Sequence, residues 1–415
     1  MTDAIRYEKG QDNIVVLTMD MPGQSANTMN AEYRAAMGNI VDRLEAEKDS
    51  IAGVILTSAK KTFFAGGDLN ELIKVTKADA AQFYQMILNI KGQLRRLECL
   101  GKPVVAAING AALGGGWEIA LACHHRIALD SSSVQIGLPE VTLGLLPGGG
   151  GVVRMVRILG LEKSLPYLLE GKKVRPQEAL KAGLIQDIAS DRDDMLAKAR
   201  AWIVANPTAV QRWDVKGYQI PGGTPSNPKV AQMLAIAPSI LRSKTQGTLP
   251  APEKILCAAV EGAQVDFDTA HLIETRYFTE LTTGQISKNL IGTFWFQLNE
   301  INAGGSRPQG FAPYVTRKVG VLGAGASREQ VWSYLGNYVP DADPAKHPAL
   351  DDLVDKALAT NRDFIAPTLQ QRKPDDKTKA FELTHPAADP QHQAVIKVLA
   401  ERARPAATAP TTTRG

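Results

Sequence analysis

The chain has 415 residues, 44% of them hydrophobic and 22% charged, with a formal net charge of +4. That length exceeds what one hydrophobic core usually organises, so two or more structural units are expected. Lys and Arg are scattered rather than gathered into a basic stripe, which argues against a nucleic-acid partner, and no run approaches the roughly 18 apolar residues that indicate a membrane span. The opening MTDAIRYEKG has no apolar signal core. Cys99, Cys123 and Cys257 form neither a CxxC pair nor a disulfide framework, so a cytoplasmic location is expected, and the mild positive charge suits a phosphate-bearing small ligand.

Along the chain, Ile14 to Leu17 (IVVL) reads as a short apolar strand and residues 31–47 carry helical spacing. Ala52 to Leu56 (AGVIL) reads as a second, buried strand and Val104 to Ile108 (VVAAI) as a third. This alternation predicts an α/β layer architecture over residues 1–190. Over 191–310 helical patterns such as DDMLAKARAWIV and PEKILCAAVEGAQ replace the strands, broken by the Pro/Gly-rich IPGGTPSNPK at 220–229. Residues 311–326 hold one more apolar strand, KVGVL, running into GAGA. Residues 327–415 have weak helical patterning and end in ARPAATAPTTTRG, compositionally a disordered tail. No internal repeat is visible.

Three segments carry the chemistry: FFAGGDL at 63–69, ALGGGWE at 112–118 and GLPEVTLGLLPGGGG at 137–151. In the first, a glycine pair after an apolar run leaves backbone N–H groups unshielded by side chains. In the second, three glycines lead into the helical pattern EIALAC, which places glycine N–H groups at the positive end of a helix. Two such donors from different loops can grip one carbonyl oxygen and stabilise charge developing there. Glu118 and Glu140 add two carboxylates in apolar contexts, where burial raises the pKa toward the range useful for proton transfer. Taken singly, each segment also fits a structural use: glycines for tight turns, Glu118 for the first turn of its helix, Glu140 after Pro139 as a helix cap.

Together, AGGD, ALGGGWE, GLPE and LLPGGGG resemble, in content, order and spacing, the crotonase superfamily of enoyl-CoA hydratases and isomerases, an α/β fold built as a spiral of ββα units. LEGKKVRPQEALKAGLI at 169–185 resembles that family's helical segment. VDFDTAHLIETRYFTELTTGQISKNLIGTFW at 265–295 resembles the helical linker of the multifunctional fatty-acid oxidation enzymes, which fuse a hydratase to a 3-hydroxyacyl-CoA dehydrogenase. The resemblance implies that Gly67 and Gly115 are the oxyanion-hole donors to an acyl-CoA thioester. It implies further that Glu118 binds and activates water and that Glu140 exchanges a proton at the substrate's α-carbon. Ala65 falls where the backbone meets the CoA adenine, Asp68 where a helix-capping acid follows the substrate loop, and Trp117 at a position that lines the acyl pocket or packs in the core. The implied reaction is reversible hydration of a trans-2-enoyl-CoA, with no metal or redox cofactor. Isomerase activity is a side expectation, since moving a proton between carbons 2 and 4 needs one carboxylate. A second copy of the chain and a thiolase-type β-oxidation protein are the implied partners.

The resemblance breaks at KVGVLGAGASREQVW, where Gly323 and Gly325 match a dinucleotide fingerprint but Arg328 holds its third glycine position. NAD-dependent activity is therefore not expected, and the dehydrogenase part reads as missing or truncated. His124-His125, in the helical stretch after Glu118, reads as structural. Two other readings stay open: another acyl-CoA thioester enzyme of the same fold, and a non-catalytic or assembly subunit left after loss of the dehydrogenase.

Overall fold

Apolar strand residues alternate between two faces of a sheet, and in the first half of this chain both faces are buried. The computed structural model describes residues 4–306 and, beyond them, positions 348, 351, 352 and 355. Gly323, Gly325 and Arg328, the strand expected within 311–326 and nearly all of 327–415 lie outside the described residues. The fold below is that of the unit Met1–Arg307.

The strands are β1 (Ile5–Lys9), β2 (Ile14–Met19), β3 (Gly53–Ser58), β4 (Val104–Ile108), β5 (Ala112–Leu113), β6 (His125–Leu129), β7 (Ile136–Gly137), β8 (Lys173–Val174) and β9 (Asp187–Ala189). They form a six-stranded sheet in the order β1-β2-β3-β4-β6-β9, parallel apart from the β1–β2 pair, and a small sheet in the order β5-β7-β8. On one face of the large sheet Ile14, Ile55, Val105, Ala107 and Ile127 pack with Met195, Ala199 and Ile203. Their neighbours Val15, Leu17, Val54, Leu56, Val104 and Ala106 face the main core. The strict alternation is the period-two pattern of a sheet covered on both sides.

The helices are α1 (Ala31–Glu47), α2 (Leu69–Leu72), α3 (Ala80–Glu98), α4 (Gly115–Ala122), α5 (Gly151–Glu170), α6 (Pro176–Ala182), α7 (Arg192–Ala205), α8 (Pro228–Thr245), α9 (Pro250–Gly262), α10 (Phe267–Thr283), α11 (Gln285–Ile291) and α12 (Leu298–Asn302). Side-chain caps start several of them, as Asn30 does for α1, Asp191 for α7 and Asp266 for α10. Between α11 and α12 the chain widens into a π-helical turn, Gly292–Gln297. Among the described residues no helix is long and apolar enough to cross a membrane.

The chain repeats one excursion. β4 joins the large sheet, β5 the small one, and α4 follows; β6 and β7 do the same before α5. After β3, a bridge from Phe64 to Ala112 starts a similar crossing. These are the ββα units of the expected spiral, and the α/β class predicted from the strand-helix alternation is the one observed. Each unit passes from its strand in the small sheet, or from the Phe64 bridge, into its helix through a loop. The three glycine-bearing segments are such loops.

Candidate active site

The first loop is organised by Asn27, whose side chain is fully buried. Its Oδ1 accepts the Met21 N–H at 3.0 Å, and its Nδ2 donates to Ser58 Oγ at 2.8 Å and to the Phe63 carbonyl at 3.2 Å. The Asn27 carbonyl takes the Ala65 N–H at 2.8 Å, and the Gly66 carbonyl takes the Met29 N–H at 2.9 Å. Gly66 has φ +105°, a conformation that disfavours side-chain-bearing residues. Among the described residues' loop and cap hydrogen bonds, the Gly67 N–H donates none.

The second loop turns at Gly114, with φ 55° and ψ −125°, a region open essentially to glycine. Its carbonyl accepts the N–H groups of Trp117 and Glu118, which starts α4 and leaves the Gly115 N–H at the helix N-terminus, again without an acceptor among the described residues. The two loops touch: a Cβ on Gly115 would lie 3.6 Å from the Gly66 carbonyl carbon. Gly67 and Gly115 line the same cavity of about 1100 Å³, together with Ala65, Asp68, Glu118 and Glu140.

Glu118 is 3% exposed. Its Oε1 accepts the N–H groups of Gly149 at 2.6 Å and Gly151 at 2.8 Å, at the start of α5. Burial, then the nearby Glu274 carboxylate, push its pKa up to about 7 against the pull of these N–H donors. Glu140 lies in a 3-10 turn, Pro139–Leu143, that begins on Pro139. The residue has some exposed surface, but its carboxyl Oε2 is covered and has no hydrogen-bond partner among the described residues. Burial, then Glu118 and Glu274, raise its pKa well above the usual carboxylate range. Two carboxyls with elevated proton affinity thus face one cavity beside two N–H groups without acceptors among the described residues.

The remaining predicted residues divide. Ala65 lines the cavity while its N–H is spent on Asn27, and Asp68 at the rim caps α2 by accepting the Asn70 N–H at 2.8 Å. Trp117 is 1% exposed inside the main core and is not among the cavity-lining residues, so the core alternative is the one the structure realises. The histidines fall past the end of α4 rather than within a helix, which corrects the expected placement. His124 accepts the Val104 N–H through Nδ1 at 3.0 Å, and His125 stacks on Trp202. Of the aromatic residues in 271–300, Phe278 packs on Phe83 and lines the cavity. Phe294 and Trp295 stand 56% and 47% exposed at its edge.

Two buried charged residues beside the site lie outside the three glycine-bearing segments. Glu274 of α10, fully buried, accepts the N–H groups of Gly150 at 2.7 Å and Val153 at 3.0 Å. Lys91 of α3 pairs with it at 2.8 Å. Both sit on the apolar stripes of their helices, Lys91 one turn after Ile87 and Glu274 between Ala270 and Phe278, and a charge on such a stripe was the available signal.

A family model described as "Enoyl-CoA hydratase/isomerase" matches residues 9–210. The chain is 35% identical over 334 residues to the "Fatty acid oxidation complex subunit alpha" of Shewanella amazonensis, covering 78% of this chain and 46% of that protein. It is 36% identical over 329 residues to the protein of the same name from Shewanella loihica, covering 78% and 45%. The chain thus spans about half the length of the curated relatives it matches. Among solved structures, an enoyl-CoA hydratase from Bacillus anthracis superposes with a TM-score of 0.44 at 26% identity, covering 71% of this chain and 96% of that one.

Proposed function

Through residues 9–210 this chain belongs to the enoyl-CoA hydratase/isomerase family, and from that premise we propose that it adds water reversibly across a trans-2-enoyl-CoA to give a 3-hydroxyacyl-CoA. The observation that carries the reading is the pairing of Glu118 and Glu140 in the cavity that Gly67 and Gly115 line. In the proposed reaction the thioester oxygen accepts both glycine N–H groups, which draws electron density from carbon 3. The water oxygen bonds to carbon 3 while ionised Glu118 takes its proton. The electron pair released toward the thioester returns to carbon 2, which takes the proton of neutral Glu140. Proton exchange between the carboxyls restores the starting state. Burial and the neighbouring carboxylates raise Glu140 well above the usual carboxylate range, which supports its assignment as a neutral donor, and the value near 7 at Glu118 supports a base that is partly ionised at neutrality.

Arg34, Lys74 and Lys173 border the cavity and suit the phosphates of CoA. The groups named supply the reaction without a further cofactor. Isomerisation of a 3-enoyl-CoA belongs to the proposal as a side activity, since Glu140 alone can move that proton. The relatives' name, a subunit of a fatty acid oxidation complex, supports a place in fatty-acid β-oxidation, and a thiolase-type protein or a second copy of the chain is the proposed partner. Cys99, Cys123 and Cys257 are free thiols, which supports a reducing cytoplasm.

The test is loss of the ultraviolet absorbance of the conjugated enoyl thioester on crotonyl-CoA and longer enoyl-CoAs. Turnover is expected, and a folded wild type inert on every chain length overturns the reading.

A further inference from the structure

The start of α5 is gripped by two carboxylates in alternation. Gly149 and Gly151 donate to Glu118, while Gly150 and Val153 donate to Glu274. Glu118 comes from α4, in the same crossing as the oxyanion loop; Glu274 comes from α10, outside the residues the family model matches. Glu274 has no exposed surface and reaches no part of the cavity wall, so it does not touch a substrate. Its charge is balanced by Lys91 at 2.8 Å, and the Lys91 ammonium is itself held by the His271 carbonyl at 2.9 Å and Thr275 Oγ1 at 2.8 Å. A helix N-terminus alone favours any anion. Here the donors are shared out residue by residue, so the side on which Glu274 holds Gly150 dictates the side on which Gly149 and Gly151 face Glu118.

We propose that Glu274, clamped by Lys91, is a positioning residue: it sets the turn at Gly149–Val153 so that Glu118 Oε1 is occupied by two N–H groups and Oε2 is left for the attacking water. The proposal rests on the hydratase reading for its consequence in turnover, and on hydrogen-bond geometry for its structural part. Glu118 Oε2 accepts no recorded hydrogen bond among the described residues, and Glu118 lines the cavity. The ion pair also sets the charge beside Glu118. The titratable and charged groups around this cluster are Lys91, Arg95 and Glu98 of α3, Glu140 of the 3-10 turn, Arg154 and Arg157 of α5, and His271 with Glu274 on α10. Burial and the surrounding cations hold His271 well below its usual range, so it stays neutral while Glu118 titrates. Loss of the Glu274 charge therefore favours ionised Glu118, and loss of the Lys91 charge disfavours it.

The experiment compares wild type, Glu274→Gln and Lys91→Met in the full chain, following kcat and KM on crotonyl-CoA across pH, with thermal melts to establish folding. For Glu274→Gln the expected result is a kcat lower by on the order of tenfold to a hundredfold with KM little changed. The acid limb of its profile moves to lower pH, whereas that of Lys91→Met moves to higher pH. A merely structural cap would not move the two limbs in opposite directions. If a single variant does not fold, Glu274→Gln/Lys91→Met removes both charges together and is expected to keep KM and lose kcat. A folded Glu274→Gln, or that double variant, with wild-type kcat and profile overturns the proposal. Should wild type itself be inert, the hydratase reading fails, and amide spectra of 15N-glycine-labelled protein still decide the positioning claim. The Gly149 and Gly151 signals are expected downfield in wild type and displaced in Glu274→Gln; unchanged signals overturn it.

Discussion

A methyl group on Gly114 would lie 2.7 Å from Glu140 Oε1, so the residue that turns the second glycine loop is also the surface against which the second carboxyl rests. Gly114→Ala therefore strains a backbone at φ 55° and displaces Glu140 in one change. A kcat loss of at least about tenfold is expected, with a lower melting temperature, from a misplacement of less than about 1 Å. Steady-state kinetics beside a thermal melt check both effects, and full activity in a folded variant would remove the claimed contact.

Glu118→Gln and Glu140→Gln should each lower kcat by on the order of a hundredfold or more if the carboxyls perform acid–base work. Binding of a saturated acyl-CoA, measured by calorimetry, should change little, because the glycine N–H groups proposed to take the thioester oxygen remain. In wild type, hydration should fall as pH drops below about 7, where Glu118 gains a proton and can no longer accept one from water.

The same carboxyls make stability depend on pH in a defined direction. A carboxyl whose pKa is raised by folding favours the folded state below its unfolded pKa, and that contribution is lost as pH rises through the folded pKa. For Glu118 the loss runs from the ordinary carboxyl value of 4.5 to about 7, and for Glu140 it runs from 4.5 to well above the usual carboxylate range. Glu140→Gln removes the burden of burying a charge at Oε2, which has no partner among the described residues. The variant should therefore melt above wild type at alkaline pH, and this advantage should vanish near pH 4.5. A melting difference that grows toward acid pH would contradict the burial account.

Phe278 packs against Phe83 with ring centroids 5.6 Å apart and forms part of the cavity wall. Phe278→Ala should cost about 3–5 kcal/mol of stability. It also enlarges the cavity, so kcat/KM for long enoyl-CoAs should rise relative to crotonyl-CoA. Denaturant titration and a chain-length series measure the two effects.

Much of this site is local in origin, and to that extent it is readable from residues in order. Gly66, Gly67, Gly114 and Gly115 define turns and a helix start through torsions that neighbouring residues specify. The apolar runs of β2, β3 and β4 declare buried strands because both of their faces are covered. β1 carries a largely polar sequence on the edge of its sheet, and β5 and β7 have two residues each, too few for a period to register. Trp117 fits a pocket or a core equally well as a residue type, and only the packing of α4 into the main core decides between them.

By itself the sequence carried the resemblance to the enoyl-CoA hydratase/isomerase family, the strand-helix alternation, and Glu118, Glu140, Gly67 and Gly115 as candidates for the site, since each belongs to a short motif with its own backbone logic. Periodicity also marks Lys91 and Glu274 as charges on buried stripes. What tertiary structure decided is that these stripes meet. α3 and α10 pack together far apart in sequence, so Lys91 and Glu274 neutralise each other beneath Glu118. A helical pattern states which face is buried but carries no record of what it is buried against, and charge pairing in an interior depends on distances that only the folded chain defines.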